Sequence, residues 1–305
     1  MELPEWATLL YDLLLLAGMA VIYISEAIVL TFIPRRYRAK SVKGEVALIT
    51  GGAGGVGSMI ATKLAKLGAH VVIWDVNKPG KSRLILKEDG GMCWSYYCDI
   101  SSKDDVYRTA KAVQIEVGSV TILINNAGYV YGRTLMELPD DEIERTYRVN
   151  ILSHYWLTKA FMGDMMKNNH GHIVTVASVA GLLGTYNCTD YSGTKFAAVG
   201  YHESLFTELR THGYDGIHAT LVCPQLINTD LFKGAKPRLS PMLEPDYVAE
   251  EVVSGILVNQ VNVVLPGSLR YLLPLKCFLP AKLCWASVVI TRRRTIFQLR
   301  VLAGL

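Results

Sequence analysis

The chain has 305 residues, half of them hydrophobic, and a formal net charge of +4, a length that accommodates one large α/β domain with short appendages and leaves no room for a second full catalytic domain. The mild charge, with basic residues that do not interleave with aromatics, excludes nucleic acid as a partner. Six cysteines without a Cys-x-x-Cys pair argue against a zinc or redox-dithiol site and point to a reducing compartment.

Residues 1–40 read as a hydrophobic membrane anchor with a basic flank. From Trp6 to Ile33 the chain is almost continuously apolar, broken by Asp12 and Glu26, and Pro34, Arg35, Arg36, Arg38, Lys40 and Lys43 follow. Basic residues after the apolar run, with no small-residue cleavage site, argue against a signal peptide. The twelve Leu, Ile, Val and Phe between Leu13 and Ile33 contribute roughly −0.3 to −0.6 kcal/mol each, against about +2.5 to +3.5 for a central Glu26, so a spanning helix is favoured by a small margin. Thr8, Asp12, Met19, Tyr23 and Glu26 also fall on one narrow polar stripe, which suits a helix lying in one leaflet. Both arrangements stay open, and in both the basic flank places the main domain on the cytosolic side.

Residues 41–266 alternate short apolar runs with helical stretches, as βαβ units require. Val46–Thr50 reads as the first strand, Ser58–Leu67 as a helix and His70–Trp74 as the second strand, ending at Asp75. Cys93–Cys98, Val120–Ile124, Ile173–Ala177, Ala219–Cys223 and Asn262–Leu265 complete the set. The expectation is an α/β fold, a single Rossmann-type doubly wound parallel sheet covered on both faces. The run Thr50-Gly51-Gly52-Ala53-Gly54-Gly55-Val56-Gly57 falls at the first strand-to-helix turn, where glycines let the backbone approach a pyrophosphate and a helix N-terminus offers it free N–H groups. Asp75, closing the second strand, can accept both ribose hydroxyls of NAD and would repel the 2′-phosphate of NADP. NAD is therefore the expected cofactor and NADP the less favoured one, with Lys78 as the residue that argues the other way.

Three Tyr-x-x-x-Lys pairs occur, Tyr107/Lys111, Tyr155/Lys159 and Tyr191/Lys195, and Tyr191 is the one with a serine, Ser178, thirteen positions upstream at the end of a strand-like run. Tyr191 and Lys195 share one helix face. The Lys195 charge is expected to bring the phenol from about 10 toward working pH, so that Tyr191 can act as a base. Ser178 would hold the substrate oxygen, and Asn150, opening a helix near Ile151, would support a water-mediated proton path through Lys195.

These residues resemble a short-chain dehydrogenase/reductase from about Lys43 to Pro266. The family's Thr-Gly-x-x-x-Gly-x-Gly is matched by Thr50, Gly51, Gly55 and Gly57 around Val56, its Asn-Asn-Ala-Gly by Asn125, Asn126, Ala127 and Gly128, and its tetrad by Asn150, Ser178, Tyr191 and Lys195. The resemblance implies that Asp99 contacts the adenine and that Thr229 binds the nicotinamide carboxamide. Pro224-Gln225 departs from the usual Pro-Gly after the sixth strand, where Pro224 belongs to the implied cofactor site. Trp74-Asp75-Val76-Asn77, His170 to Ser178 and Tyr201-His202-Glu203-Ser204-Leu205 are similar to the membrane-associated branch of retinol dehydrogenases and 17-beta-hydroxysteroid dehydrogenases. That branch implies oxidation of a lipophilic alcohol at the endoplasmic reticulum or lipid droplet surface, and a homodimer. The competing expectations are an NADPH-dependent retinal or lipid carbonyl reductase, and a lipid droplet surface protein that recruits partners through a cofactor-binding domain.

His170, His172 and His202 have no metal-ligand spacing, and no metal is expected. The sequon Asn187-Cys188-Thr189 lies too close to Tyr191 for a glycan to be tolerated. Leu226, Leu231, Phe232 and Met242, with Leu182, Leu183 and Tyr186, are expected to wall an apolar substrate pocket. Residues 267–305 carry apolar runs broken by Pro274 and Pro280, then Leu283 to Ile290 and Arg292-Arg293-Arg294, and read as a membrane-proximal segment.

Overall fold

A computed structural model describes residues 4–77, 92–232 and 241–283. Lys78, Cys284, the arginines at 292–294 and part of the expected substrate loop lie outside these residues. The chain divides into two compact units, Met1–Lys40 and Ser41–Leu305.

The first unit is dominated by helix α1, Glu5–Phe32. It is 28 residues long, its most apolar stretch of 18 residues has a mean hydropathy of 2.3, and none of its residues is buried. At 1.5 Å per residue such a helix reaches about 42 Å, enough to cross a hydrocarbon core of about 30 Å with tilt.

The second unit is built on seven parallel strands: β1 Val46–Thr50, β2 His70–Asp75, β3 Cys93–Tyr97, β4 Ile122–Asn125, β5 Gly171–Val176, β6 Ile217–Pro224 and β7 Asn262–Leu265. Their order across the sheet is β3-β2-β1-β4-β5-β6-β7. The direction of winding reverses between β1 and β4, and the crevice beyond their carboxyl ends is where an open α/β sheet binds its ligand.

The helices of this unit are α2 Gly55–Lys66, α3 Lys103–Glu116, α4 Asp140–Tyr147, α5 Ser153–Asn168, α6 Thr189–Thr211, α7 Pro245–Leu257 and the short α8 Leu269–Leu272. On one face of the sheet Ile60 and Leu64 of α2 and Val252 and Ile256 of α7 pack on Ala47, Ile49, Ile122 and Ile124. On the other, Val106 and Val113 of α3 and Leu157 and Phe161 of α5 pack on Leu48, Trp74, Leu123 and Ile173. The central strands face apolar side chains on both sides, which explains why they read as unbroken hydrophobic runs. Full burial of a side chain such as Phe161 contributes about 1.5–3 kcal/mol.

Five strands start or end one or two residues from the sequence expectation, and two boundaries beside the crevice differ in a way that bears on the site. α2 starts at Gly55 rather than Ser58, so the glycine run itself opens the helix. Gly54 precedes it and offers no side-chain cap, which leaves the first amide groups free for a ligand. Asn150 does not open a new helix. It sits in a π-helical turn, Arg148–Leu152, that joins α4 to α5, and such turns frequently mark functional sites.

Candidate active site

A cavity of about 1130 Å³ lies at the crevice, lined among others by Gly51, Asp75, Asn126, Ser178, Tyr191 and Lys195. Of the predicted residues, Gly55, Val56, Gly57, Asp99, Ala127, Gly128, Pro224 and Thr229 line it too. Thr50 and Asn150 do not: both are buried and act on the cavity through the backbone they hold.

The glycine turn is shaped by close approach. Gly51 has φ +66°, a conformation that disfavours a side chain, and a Cβ on Gly57 would lie 2.3 Å from the Gly51 carbonyl oxygen. Thr50 Oγ1 accepts from the backbone amides of Asn126 at 3.0 Å and Ala127 at 3.1 Å, and the Asn126 side-chain amide donates to the Thr50 carbonyl at 2.9 Å. The Asn-Asn-Ala-Gly segment at the end of β4 thus ties down the turn after β1. Asp75 is fixed in the same way: its two carboxylate oxygens accept from the amides of Ala53 at 3.0 Å and Asn77 at 2.8 Å. Asp99, which lines the cavity, accepts from the backbone and hydroxyl of Ser101 through one oxygen.

Tyr191 and Lys195 lie on the buried face of α6, only 6% and 3% exposed. The Lys195 Nζ donates to the Val176 carbonyl at 2.8 Å and stands 5.6 Å from the Tyr191 ring centre. Burial is the largest influence on both groups. It pushes the phenol up, against the lowering effect of the Ser178 hydroxyl, and pulls the ammonium down to about 8. Burial therefore dominates the phenol in the protein alone, and Ser178 is the neighbour that favours the phenolate. Ser178 Oγ in turn donates to the Pro224 carbonyl at 3.2 Å and accepts from the Ala180 amide at 3.1 Å.

Asn150 accepts from the Tyr129 amide at 2.7 Å, and its Nδ2 donates to the Tyr129 carbonyl at 2.8 Å and to Thr194 Oγ1 at 3.1 Å. Tyr129 and Arg145 both line the cavity. The Tyr129 hydroxyl donates to Glu142 at 2.7 Å, and the Arg145 guanidinium lies 4.4 Å from the Tyr129 ring centre. Sequence reasoning missed both. Tyr129 was within reach as the residue after Asn-Asn-Ala-Gly, whereas Arg145 carries no local signal and arrives through the course of α4.

The apolar wall differs in part from expectation. Leu231, Phe232 and Met242 line the cavity, and the Phe232 ring meets that of Tyr191 edge-on at 6.3 Å. Leu226 packs behind them against the same cluster. Leu182 instead packs on Ala198 and Cys223, and Leu183 and Tyr186 are not among the lining residues. Their loop follows the short helical turn Val179–Gly181. Lys276, beyond α8, donates to the Leu182 carbonyl at 2.9 Å and lies 5.1 Å from the Phe196 ring centre. Among the described residues no cluster of His, Cys, Asp or Glu could hold a metal ion.

A doubly wound sheet, an uncapped glycine-opened helix facing the cavity and a buried Tyr–Lys pair beside them define an oxidoreductase that works with a nicotinamide cofactor. The chain belongs to the short-chain dehydrogenase family, whose model matches residues 45–239. It is 42% identical over 276 residues to estradiol 17-beta-dehydrogenase 11 of Macaca fascicularis, covering 90% of this chain and 91% of that one. It is 40% identical over 277 residues to epidermal retinol dehydrogenase 2 of Mus musculus, covering 89% of each. A short-chain dehydrogenase/reductase from Burkholderia phymatum in complex with NAD superposes with a TM-score of 0.71 at 26% identity, over 78% of this chain and 95% of that one. Solved structures that match in this way include complexes with NAD and with NADP.

Proposed function

We propose that the chain is a membrane-associated dehydrogenase that oxidises a lipophilic alcohol, retinol-like or steroid, to the carbonyl compound with NAD as acceptor. The observation that carries this reading is the single cavity that joins Ser178, Tyr191 and Lys195 to the glycine turn and Asp75 at one side and to Leu231, Phe232 and Met242 at the other. Relatives named for a steroid and for retinol support the substrate class.

The residues present fit the cofactor. The free amides at the start of α2, with Gly51, Gly55, Val56 and Gly57, suit a pyrophosphate. Asp75 suits two ribose hydroxyls, Asp99 the adenine end, and Asn126, Ala127, Gly128, Pro224 and Thr229 the nicotinamide end. When bound, the nicotinamide supplies the acceptor for the hydride that leaves the carbinol carbon, and its positive charge favours the phenolate. Tyr191 Oη takes the hydroxyl proton, Ser178 Oγ holds the same oxygen, and Lys195 stabilises the resulting charge and passes the proton on. Asn150 positions Tyr129 and Thr194, and with Lys195 offers the water-mediated path out. The apolar wall excludes water and takes the hydrocarbon.

Residues 1–40 are the anchor, 41–266 the catalytic domain and 267–305 a membrane-proximal segment. The basic residues after α1 support a cytosol-facing catalytic domain, and the family branch supports the endoplasmic reticulum or lipid droplet surface and a homodimer. The test is a substrate panel: membranes carrying the protein, supplied with all-trans-retinol, estradiol and a long-chain alcohol, with NAD or NADP. NAD-dependent oxidation of one of these alcohols is the expected result. Turnover only in the reductive direction with NADPH would replace this reading by the reductase.

A further inference from the structure

The opening turns of α6, which carry Tyr191, are gripped by the end of α4 and the π-helical turn that follows it. Thr146 Oγ1 donates to Asp190 Oδ2 at 2.9 Å. Tyr147 packs on Gly193, where a Cβ would lie 2.7 Å from the Tyr147 hydroxyl oxygen. Asn150 Nδ2 donates to Thr194 Oγ1 at 3.1 Å, and that hydroxyl donates to the Tyr191 carbonyl at 2.7 Å. Asp190, Gly193 and Thr194 thus bracket Tyr191. Further along α6 the hold is apolar, with Ala198, Val199 and Tyr201 packed on Leu221 and Cys223 of β6.

Asp190 stands out among these contacts. It is only 4% exposed, and its Oδ1 is inaccessible and without a hydrogen-bond partner among the described residues. Its Oδ2 receives a shared hydrogen, because Thr146 Oγ1 also donates to the Glu142 carbonyl at 2.7 Å. Burying a carboxylate is costly, and an apolar side chain would fill such a position at lower cost. A carboxylate here therefore suits a specific contact better than it suits packing. Glu142, the other acceptor at Thr146, also takes the Tyr129 hydroxyl at 2.7 Å through its carboxylate, and Tyr129 lines the cavity. A chain of contacts thus runs from Tyr129 through Glu142 and Thr146 to Asp190, the residue before Tyr191.

We propose that Asp190 is a positioning residue: through Thr146 it fixes the start of α6 against α4, and so sets where Tyr191 Oη stands relative to the substrate hydroxyl. The inference rests on the dehydrogenase reading, in which Tyr191 takes the hydroxyl proton. Such a transfer tolerates little displacement, since a misplacement of about 1 Å costs about 10²-fold in rate. The tie needs a hydrogen-bonding group and not a charge. An asparagine at this position donates from Nδ2 to Thr146 Oγ1, which leaves the Thr146 hydrogen wholly to the Glu142 carbonyl. An alanine makes no such contact.

Asp190→Ala is expected to lower kcat roughly tenfold to a hundredfold, with KM for alcohol and for NAD, and the affinity for NADH, within about twofold of the wild type. Asp190→Asn is expected to keep kcat within about threefold of the wild type. Thr146→Val breaks the same tie, so the Asp190→Ala, Thr146→Val double variant is expected to lose no more than the worse single variant. An alanine variant with wild-type kcat, an asparagine variant as impaired as alanine, losses that multiply, or NADH affinity that falls in step with kcat would each overturn the proposal. Crystal structures of the wild type and Asp190→Ala with NADH test it without turnover: Tyr191 Oη is expected to move by about 0.5 Å or more relative to Lys195 Nζ, and an unmoved Tyr191 overturns it. A displaced Tyr191 in a protein whose wild type oxidises no alcohol would instead count against the dehydrogenase reading and leave the tie standing.

Discussion

Asn126 holds Thr50 from both sides, its backbone amide donating to the Thr50 hydroxyl and its side-chain amide to the Thr50 carbonyl. The two residues are 76 positions apart and join the ends of β1 and β4, the strands that flank the crevice. The shape of the cofactor turn therefore depends on a neighbouring strand. Asn126→Ala removes the side-chain bond, a change of about 1 kcal/mol. It should weaken NADH binding roughly fivefold to tenfold while kcat falls less, as titration of NADH fluorescence alongside steady-state kinetics would show.

Gly57→Ala tests the close approach in the same turn. A methyl group there meets the Gly51 carbonyl at 2.3 Å and the Asn126 amide at 2.7 Å, and both are pinned. Overpacking of this kind costs about 1–3 kcal/mol. Thermal unfolding should occur several degrees lower, and NADH should no longer protect the variant from heat.

Asp75 is the residue on which the cofactor preference rests. Its carboxylate is already held by two backbone amides, so its charge is fixed at the cavity rim rather than free to swing away. Asp75→Ser should raise kcat/KM with NADP by about tenfold or more and lower it with NAD, reflecting the loss of like-charge repulsion at the 2′-phosphate. Equal selectivity in the variant and the wild type would place the determinant elsewhere.

His154 and His202, buried on α5 and α6, should make the fold acid-sensitive. An unfolded histidine titrates near 6.5, whereas His154 and His202 do so at about 3 and about 4 in the folded chain. As pH falls through 6.5 the unfolded state binds protons first. The stability present above that value is therefore lost progressively as pH drops toward 4. At pH 5 the loss approaches about 2 kcal/mol per histidine. Melting temperature measured at pH 7.5 and pH 5 should drop by several degrees, and the His154→Gln, His202→Gln double variant should show a flatter profile over that interval.

Much of this architecture was legible because the chemistry is local. Unbroken apolar runs such as Val46–Thr50 and Asn262–Leu265 gave strands whose ends match the structure residue for residue. The glycine run, Asp75 and the Tyr191–Lys195 pair declared themselves by spacing. What the sequence could not show depends on distant segments meeting. Arg145 reaches the cavity only through the course of α4, and Leu182 leaves it because the turn after Ser178 packs it on Ala198. The start of α2 at Gly55 lies three residues before the Ser58 the sequence suggests, and glycine disfavours helix interiors in general. Here Gly57 is required at the helix start by the close approach of Gly51 and Asn126, and Gly55 by its φ of +52°. The balance of effects on Tyr191 also required burial to be known.

The central claim is that Tyr191 moves the alcohol proton while the surrounding cavity holds the cofactor, and Tyr191→Phe separates the two. NADH formation and NADH binding should be measured side by side for the wild type and the variant, in the same membranes and with the alcohol that turns over fastest. The account predicts that oxidation falls by about 10²-fold or more while NADH binds within about threefold of the wild-type affinity, a change under ~1 kcal/mol. Oxidation that persists in the variant at a comparable rate would contradict it.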